Sequence, residues 1–254
     1  MRTRRVFYLL LSIAVTGAIV ALWKLVSDLH LVSPIFLPPP DRAWNALLFD
    51  AERGELPSRV LLTLEHMVYG WLLASLGGVV LGALIGISQT ARIYLAPTLE
   101  FFRPLPASAM FPVLIAFFGL TENMVLAVIA FGALWPTLLA TISGFATVKP
   151  RLREVARLMR LTRRQFILSV VLPNAMPEIL AGMRLSLTIA LILSVTGEIL
   201  SGSPGLGYWI MLQARAFRAP DLFAGVLLFG LIGYASAQLV ALLEWWLLRW
   251  RATR

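Results

Sequence analysis

The chain alternates long apolar runs with short polar connections. Six runs stand out, at approximately 6–26, 62–88, 93–118, 123–146, 177–200 and 222–248. Crossing the hydrocarbon of a bilayer takes ~20 apolar residues wound as a helix, because any other open backbone would leave N–H and C=O groups unpaired there. The pattern predicts an all-α integral membrane protein with about six transmembrane helices. Pro97, Pro104, Pro106 and Pro112 interrupt the third run. A broken helix is tolerated only where neighbours or a cavity satisfy the freed carbonyls, so this span is expected inside a bundle. No internal repeat or low-complexity tract divides the chain, and residues 1–254 read as one domain.

Composition sharpens this picture. Apolar residues make up 59% of the chain and charged residues 14%, with mean hydropathy +0.83. Soluble domains carry roughly 45–50% and about 25%. The net charge of +9 would suggest nucleic acid in a soluble protein. Here the basic residues fall between the spans, where topology explains them better. With a cytoplasmic N-terminus, the inside segments hold Arg2, Arg4, Arg5, Arg92, Lys149, Arg151, Arg153, Arg157, Arg160, Arg163, Arg164, Arg249, Arg251 and Arg254. The outside segments hold Arg42, Arg53, Arg59, Arg215 and Arg218. Fourteen against five is a positive-inside bias that places both termini in the cytoplasm. The basic N-terminus also resembles a secretory signal, but no small-x-small site comes after it, so 6–26 reads as a retained helix.

Candidate chemistry is sparse. There is no cysteine, hence no disulfide framework or Cys-based metal site. His30 and His66 are far apart, and neither His-Glu-x-x-His nor Gly-x-Ser-x-Gly occurs, which argues against an enzyme. His66, beside Glu65, reads as structural. In the outer loop of residues 27–61, Leu37-Pro38-Pro39-Pro40-Asp41 signals a helix start, with Asp41 as cap and a short surface helix over 42–49.

The connection between the fourth and fifth spans, residues 148–176, is the most informative segment. Pro150 suits a first helical turn. Leu152, Val155, Ala156 and Met159 recur at helical spacing, and arginines cover the opposite face. Pro173 and Pro177 are expected to end the helical stretch. Periodicity alone leaves two readings open: a helix resting on anionic headgroups, or one docked on a partner. The residue types favour the partner. Glu154-Val155-Ala156, position 160 and Val170-Val171-Leu172-Pro173 resemble the EAA loop of ABC importer permeases. That signature is Glu-Ala-Ala, then Gly four residues on, then Ile-x-Leu-Pro ten residues beyond, and the spacing is kept without a gap. Residues 175–184 resemble the family's next segment. Val155 replaces the first Ala, and Arg160 replaces the Gly. A non-Gly residue at positive φ is unfavourable by roughly 1 kcal/mol, so either the bend is made differently or the coupling surface is altered. Leu37–Pro40, Phe102-Arg103-Pro104-Leu105-Pro106 and Gly205-Leu206-Gly207-Tyr208 resemble the nitrate/taurine/aliphatic sulfonate permease group, although Thr121 stands at a usual Gly.

The resemblance implies a type I ABC importer permease fold in the bacterial inner membrane. It implies a second permease copy, two cytoplasmic ATP-binding subunits, an extracytoplasmic solute-binding protein and surrounding lipid as partners, with no nucleic acid. ATP and Mg belong to the ATPase subunits. This chain has no Gly-x-x-x-x-Gly-Lys-Ser/Thr loop, and no cofactor of its own is expected. Coupling to the ATPase falls to Glu154, Ala156, Met159, Arg160, Val170, Leu172 and Pro173. Glu154 would anchor the loop through charge-assisted contacts, unless it forms a solvated pair with Arg157 or Lys149.

Ionisable groups inside spans are functional candidates. Glu100, Arg103 and Glu198, with Gly205 and Gly207, are therefore expected along the translocation path. Arg103 either attracts a small anion, sulfonate-, taurine- or nitrate-like, or pairs with Glu100 or Glu65. The small residues of 201–207 allow either a re-entrant turn near an outer gate or an ordinary flexible loop. Arg184 is expected to snorkel to headgroups. Trp135, and Glu244 with Trp245 and Trp246, read as packing or interfacial anchors. The competing class is a secondary transporter working without ATP, which would normally carry paired repeats and intramembrane coupling groups.

Overall fold

A computed structural model describes residues 2–52 and 55–249. Arg53, Arg251 and Arg254, which enter the charge count, lie outside the described residues. The helices are α1 (Arg2–Asp28), α2 (Pro40–Glu52), α3 (Glu55–Ile87), α4 (Gln89–Phe102), α5 (Phe111–Phe118, entered through a 3₁₀ turn at Ala107–Met110) and α6 (Glu122–Ala146). They continue with α7 (Pro150–Leu158), α8 (Arg163–Phe166), a π segment (Ile167–Val171), α9 (Leu172–Ser201), α10 (Leu206–Arg215) and α11 (Ala219–Leu247). No strand occurs among the described residues. Among the described residues, five helical stretches are long and apolar enough to cross a membrane, or up to six if the bent pair α4–α5 counts as one span.

The third span differs from expectation in its shape and its surroundings. Its two halves meet at 81°. Pro104 and Pro106 lie in the break, and Pro112 sits in the first turn of α5, where no intrahelical N–H is needed. Pro97 remains inside α4. The expected position inside a bundle is not met within one protomer, because α4 has no buried residue. It lies at the periphery.

The core is built from α3, α6 and α9. Along α3, Gly70, Ala74, Gly78, Gly82 and Gly86 recur every fourth residue, and this small-residue face meets α6. A Cβ on Gly82 would stand 2.6 Å from Thr141 Cβ and 2.8 Å from the Leu138 carbonyl oxygen. In a bilayer, helices gain little by exchanging lipid for leucine, so close backbone approach across small residues drives association instead. The facing side of α6 is fully buried at Met124, Val125, Val128, Ile129 and Ala133. Between α6 and α9, Gly144 lies against Ala175 and Gly182 against Ala140. Ser186 Oγ donates to the Ala133 carbonyl. Trp71 Nε1 donates to the Met183 carbonyl at 2.9 Å, tying α3 to α9.

Helix α9 overturns the expectation that Pro173 and Pro177 end the helical stretch. The chain is helical without interruption from Arg163 to Ser201, 39 residues. Pro173 falls in the first turn of α9, directly after the π segment, and Pro177 is accommodated inside the helix. In the π segment the Leu172 N–H reaches back to the Ile167 carbonyl. This widened turn redistributes backbone partners where a proline would otherwise orphan one.

Helix α1 touches the rest mainly at one end. Trp23 Nε1 donates to the Pro38 carbonyl at 3.0 Å, Ser27 Oγ to the Leu37 carbonyl at 2.9 Å, and Lys24 Nζ to Asp41 at 3.1 Å. The helix over 42–49 is found, extended to Pro40–Glu52. Asp41 lies within its first turn instead of capping it. The hydrogen bond from Lys24 holds the Asp41 carboxyl below the usual carboxylate range.

The small-residue contact leads to a prediction. Replacing Gly82 with Leu should lower the thermal unfolding temperature of the detergent-purified protein and broaden its gel-filtration peak, because overpacking costs ~1–3 kcal/mol. Gly230, which has open space around it, serves as control. Equal behaviour of Gly82→Leu and Gly230→Leu would contradict the close-approach account.

Candidate functional site

Two polar assemblies lie at opposite ends of the core. The first is the segment α7–bend–α8. Helix α7 starts at Pro150 as expected and presents Ala156, 6% exposed, towards the bundle. Val155, Leu158 and Met159 project outward at 49%, 82% and 66% exposure, large values for apolar side chains. Glu154 is exposed on the outward side, and no ion pair engages it among the described residues, so neither Arg157 nor Lys149 neutralises it.

Arg160 occupies the turn after α7 at φ 51°, in the left-handed region. The Leu161 N–H bonds to the Ala156 carbonyl at 3.0 Å and the Arg160 N–H to the Arg157 carbonyl at 3.0 Å. These two bonds are the pair that closes a Schellman termination, which usually places glycine at this position. The bend is therefore made in the ordinary way, and the arginine carries the strain. Thr162 then caps α8 in a reciprocal box with Gln165. Val170 and Leu172 pack against the buried cluster Phe145, Val148, Val171, Ala175 and Ile179. They join α8 to the bundle and are not part of the outward face of α7.

At the other end, Glu198 is fully buried. Its Oε2 accepts from Thr63 Oγ1 at 2.9 Å and from the Gly207 N–H at 2.9 Å, and its Oε1 lies 3.0 Å from His66 Nδ1. Thr63 Oγ1 in turn accepts from the Leu206 N–H at 2.8 Å. The N-terminal end of α10 is thus clasped to the ends of α3 and α9. A Cβ on Gly205 would collide with the Glu198 carboxyl, and one on Gly207 with the Val195 backbone. Segment 201–207 is a tied turn, not a free loop.

This arrangement can be set beside known proteins. The family described as "Binding-protein-dependent transport system inner membrane component" matches residues 78–249. The chain belongs to this family. A putative aliphatic sulfonates transport permease protein of Bacillus subtilis is 36% identical over 92% of this chain and 85% of its own length. The taurine transport system permease protein of Escherichia coli is 30% identical over 88% and 83%. A solved structure of the MetNI methionine ABC transporter, inward facing, superposes with TM-score 0.66 at 19% identity, covering 80% of this chain and 99% of that one. It supports the fold alone. The permease is therefore a multi-pass inner-membrane component of an ABC importer and not an enzyme, and the secondary transporter is not favoured.

The remaining sequence-derived residues of the permease divide sharply. Gly205, Gly207 and Glu198 come together, inside the protomer. Glu100 and Arg103 sit on the exposed side of the peripheral α4 and the turn after it, away from that cluster. Among the described residues neither forms an ion pair, so Arg103 pairs with neither Glu100 nor Glu65. Arg184, expected to snorkel, reaches Glu244 on α11 at 3.6 Å with its side chain 45% exposed.

Sequence alone does not single out Thr63, and it underreads the role of His66. Their only signal there is spacing along α3: three apart, they share a helix face near its N-terminal end. Two outcomes are expected for the permease. Glu198→Ala should lower stability by about 3 kcal/mol, read from thermal unfolding, because it strands buried donors; a change within ~0.5 kcal/mol would remove the clasp from the stability account. Arg160→Gly should raise stability by ~1 kcal/mol through relief of left-handed strain, and an unchanged or lower unfolding temperature would show the strain is absent.

Proposed function

We propose that the permease forms, with a second copy of itself, the path through which a solute-binding protein delivers a small anion of the sulfonate class, driven by two ATPase subunits on the cytoplasmic side. The observation that carries this reading is the lever: an outward-facing α7 with an unpaired Glu154 and exposed Val155, Leu158 and Met159, turned at Arg160 into a helix unbroken from Arg163 to Ser201. A force applied to α7 would pass through the hydrogen-bonded turn at Arg160 into that helix and on to the clasp at Glu198.

Supporting the second copy, α4 contains no buried residue yet retains Pro97 and leads into Arg103. A helix with a carbonyl freed by proline needs protein or water beside it within a membrane. A partner subunit along α4 supplies this and brings two Arg103 side chains towards one axis. The names of the sulfonate and taurine permeases support an anionic solute, and an exposed cation without a carboxylate partner suits one. Glu100 lies one turn from Arg103 and would tune its field. The positive-inside distribution supports cytoplasmic termini and a cytoplasmic lever.

Co-purification tests the reading. Wild-type permease co-expressed with its ATPase should retain it through affinity purification, whereas Glu154→Ala should lose most of it with permease expression and elution volume unchanged. Solute uptake that continues without ATP and without any ATPase would refute the proposal.

A further inference from the structure

Behind the lever, on the side turned away from its exposed apolar face, lies a cavity of about 480 Å³. Its rim carries Arg92, Arg153, Arg157 and Arg163, contributed by α4, α7 and α8, and no Asp or Glu lines it. Its floor is apolar, built from Ile87, Phe145, Val148 and Ala156 with the start of the π segment. Arg92 donates to the Gly86 carbonyl at the end of α3, which fixes one guanidinium at the mouth. Among the described residues none of the four arginines has an ion-pair partner.

Four like charges around one opening repel one another, more strongly where the floor lowers the local dielectric. A counter-anion relieves that repulsion, and guanidinium groups match the oxygens of a phosphate with paired hydrogen bonds. A simple inorganic anion would use the rim and leave the apolar floor wet. An amphiphile uses both. The cavity is lined by Gly86 and Ile87 at the end of α3 and by Phe145 at the end of α6, two helices long and apolar enough to span a membrane, so the proposed occupant is one found where such helices end.

We propose that this cavity binds the phosphate headgroup of an anionic phospholipid, with its glycerol and upper acyl carbons on the apolar floor, so that the lipid wedges the lever against the bundle. The choice of leaflet rests on the positive-inside orientation; the binding itself does not.

The test uses the full chain in mild detergent, without ATPase, exposed to phosphatidylglycerol or phosphatidylcholine and read by native mass spectrometry. Phosphatidylglycerol should be retained preferentially. Arg153→Gln with Arg157→Gln should weaken that preference about thirtyfold, since a basic residue near an anionic surface contributes ~1 kcal/mol. Arg151→Gln, off the cavity rim, should leave it intact. Should the double variant fail to fold, Arg163→Gln alone decides, with an expected loss of about fivefold.

Equal retention of the two lipids, or a preference unmoved by the variants, overturns the proposal. So does displacement of phosphatidylglycerol by millimolar inorganic phosphate, which would assign the rim to a free anion. Protection of Arg153 and Arg157 from arginine-specific modification by the ATPase in lipid-free detergent would assign it to the protein partner and overturn the lipid reading as well. Because the lipid measurement needs no ATPase, its failure and a failure of the coupling reading are separable.

Discussion

Backbone contact between α3 and α6 is the constraint on which everything else depends. In water, leucine against leucine would hold two helices together, but in hydrocarbon the same exchange gains little. The chain instead presents Gly70, Ala74, Gly78, Gly82 and Gly86 on one face and lets α6 approach until side chains such as Thr141 touch the opposing backbone. Helix α9 closes the trio through Gly144, Ala175 and Gly182. Interiors packed this tightly resist local deformation. The trio therefore supplies a stiff frame, with an arginine-rich lever at one end and a hydrogen-bonded clasp at the other.

The spans are legible in the sequence because each is a long apolar run and a membrane admits few backbone solutions. The EAA-like loop is legible because its residue types and spacing coincide. The features that sequence hides are local or long-range in character. Pro173 and Pro177 read as stops because proline ends most helices, yet a helix that has just widened into a π turn accepts one in its next turn. Arg160 reads as an anomaly because glycine suits a left-handed turn, yet His30 and Phe217 adopt the same conformation at φ 53° and 54°. Among the described residues the chain tolerates that strain three times over. Glu198 stands out as an ionisable group in a span, but its partners Thr63 and His66 lie 135 and 132 residues away in sequence. Only the folded trio brings them together. The small-residue stripe on α3 is visible in principle, through its four-residue spacing, and is the kind of regularity that apolar-run counting overlooks.

The position of Glu198 bears on how this end of the bundle can move. A fully buried carboxyl group whose hydrogen bonds are met by separate elements is not free to swing between states. Any rearrangement at this end must carry α10 together with the ends of α3 and α9, or break several buried bonds at once. Motion by whole helices suits the proposed coupling, in which the other end of the frame is pushed through α7.

The π segment adds a geometric consequence. A turn with one residue too many rotates everything beyond it by ~100° relative to an unbroken α-helix. The azimuth of the lever about the axis of α9 is therefore set by a single extra residue within Ile167–Val171. If that residue were absorbed into regular winding, the lever would point along a different compass bearing while every span stayed in place.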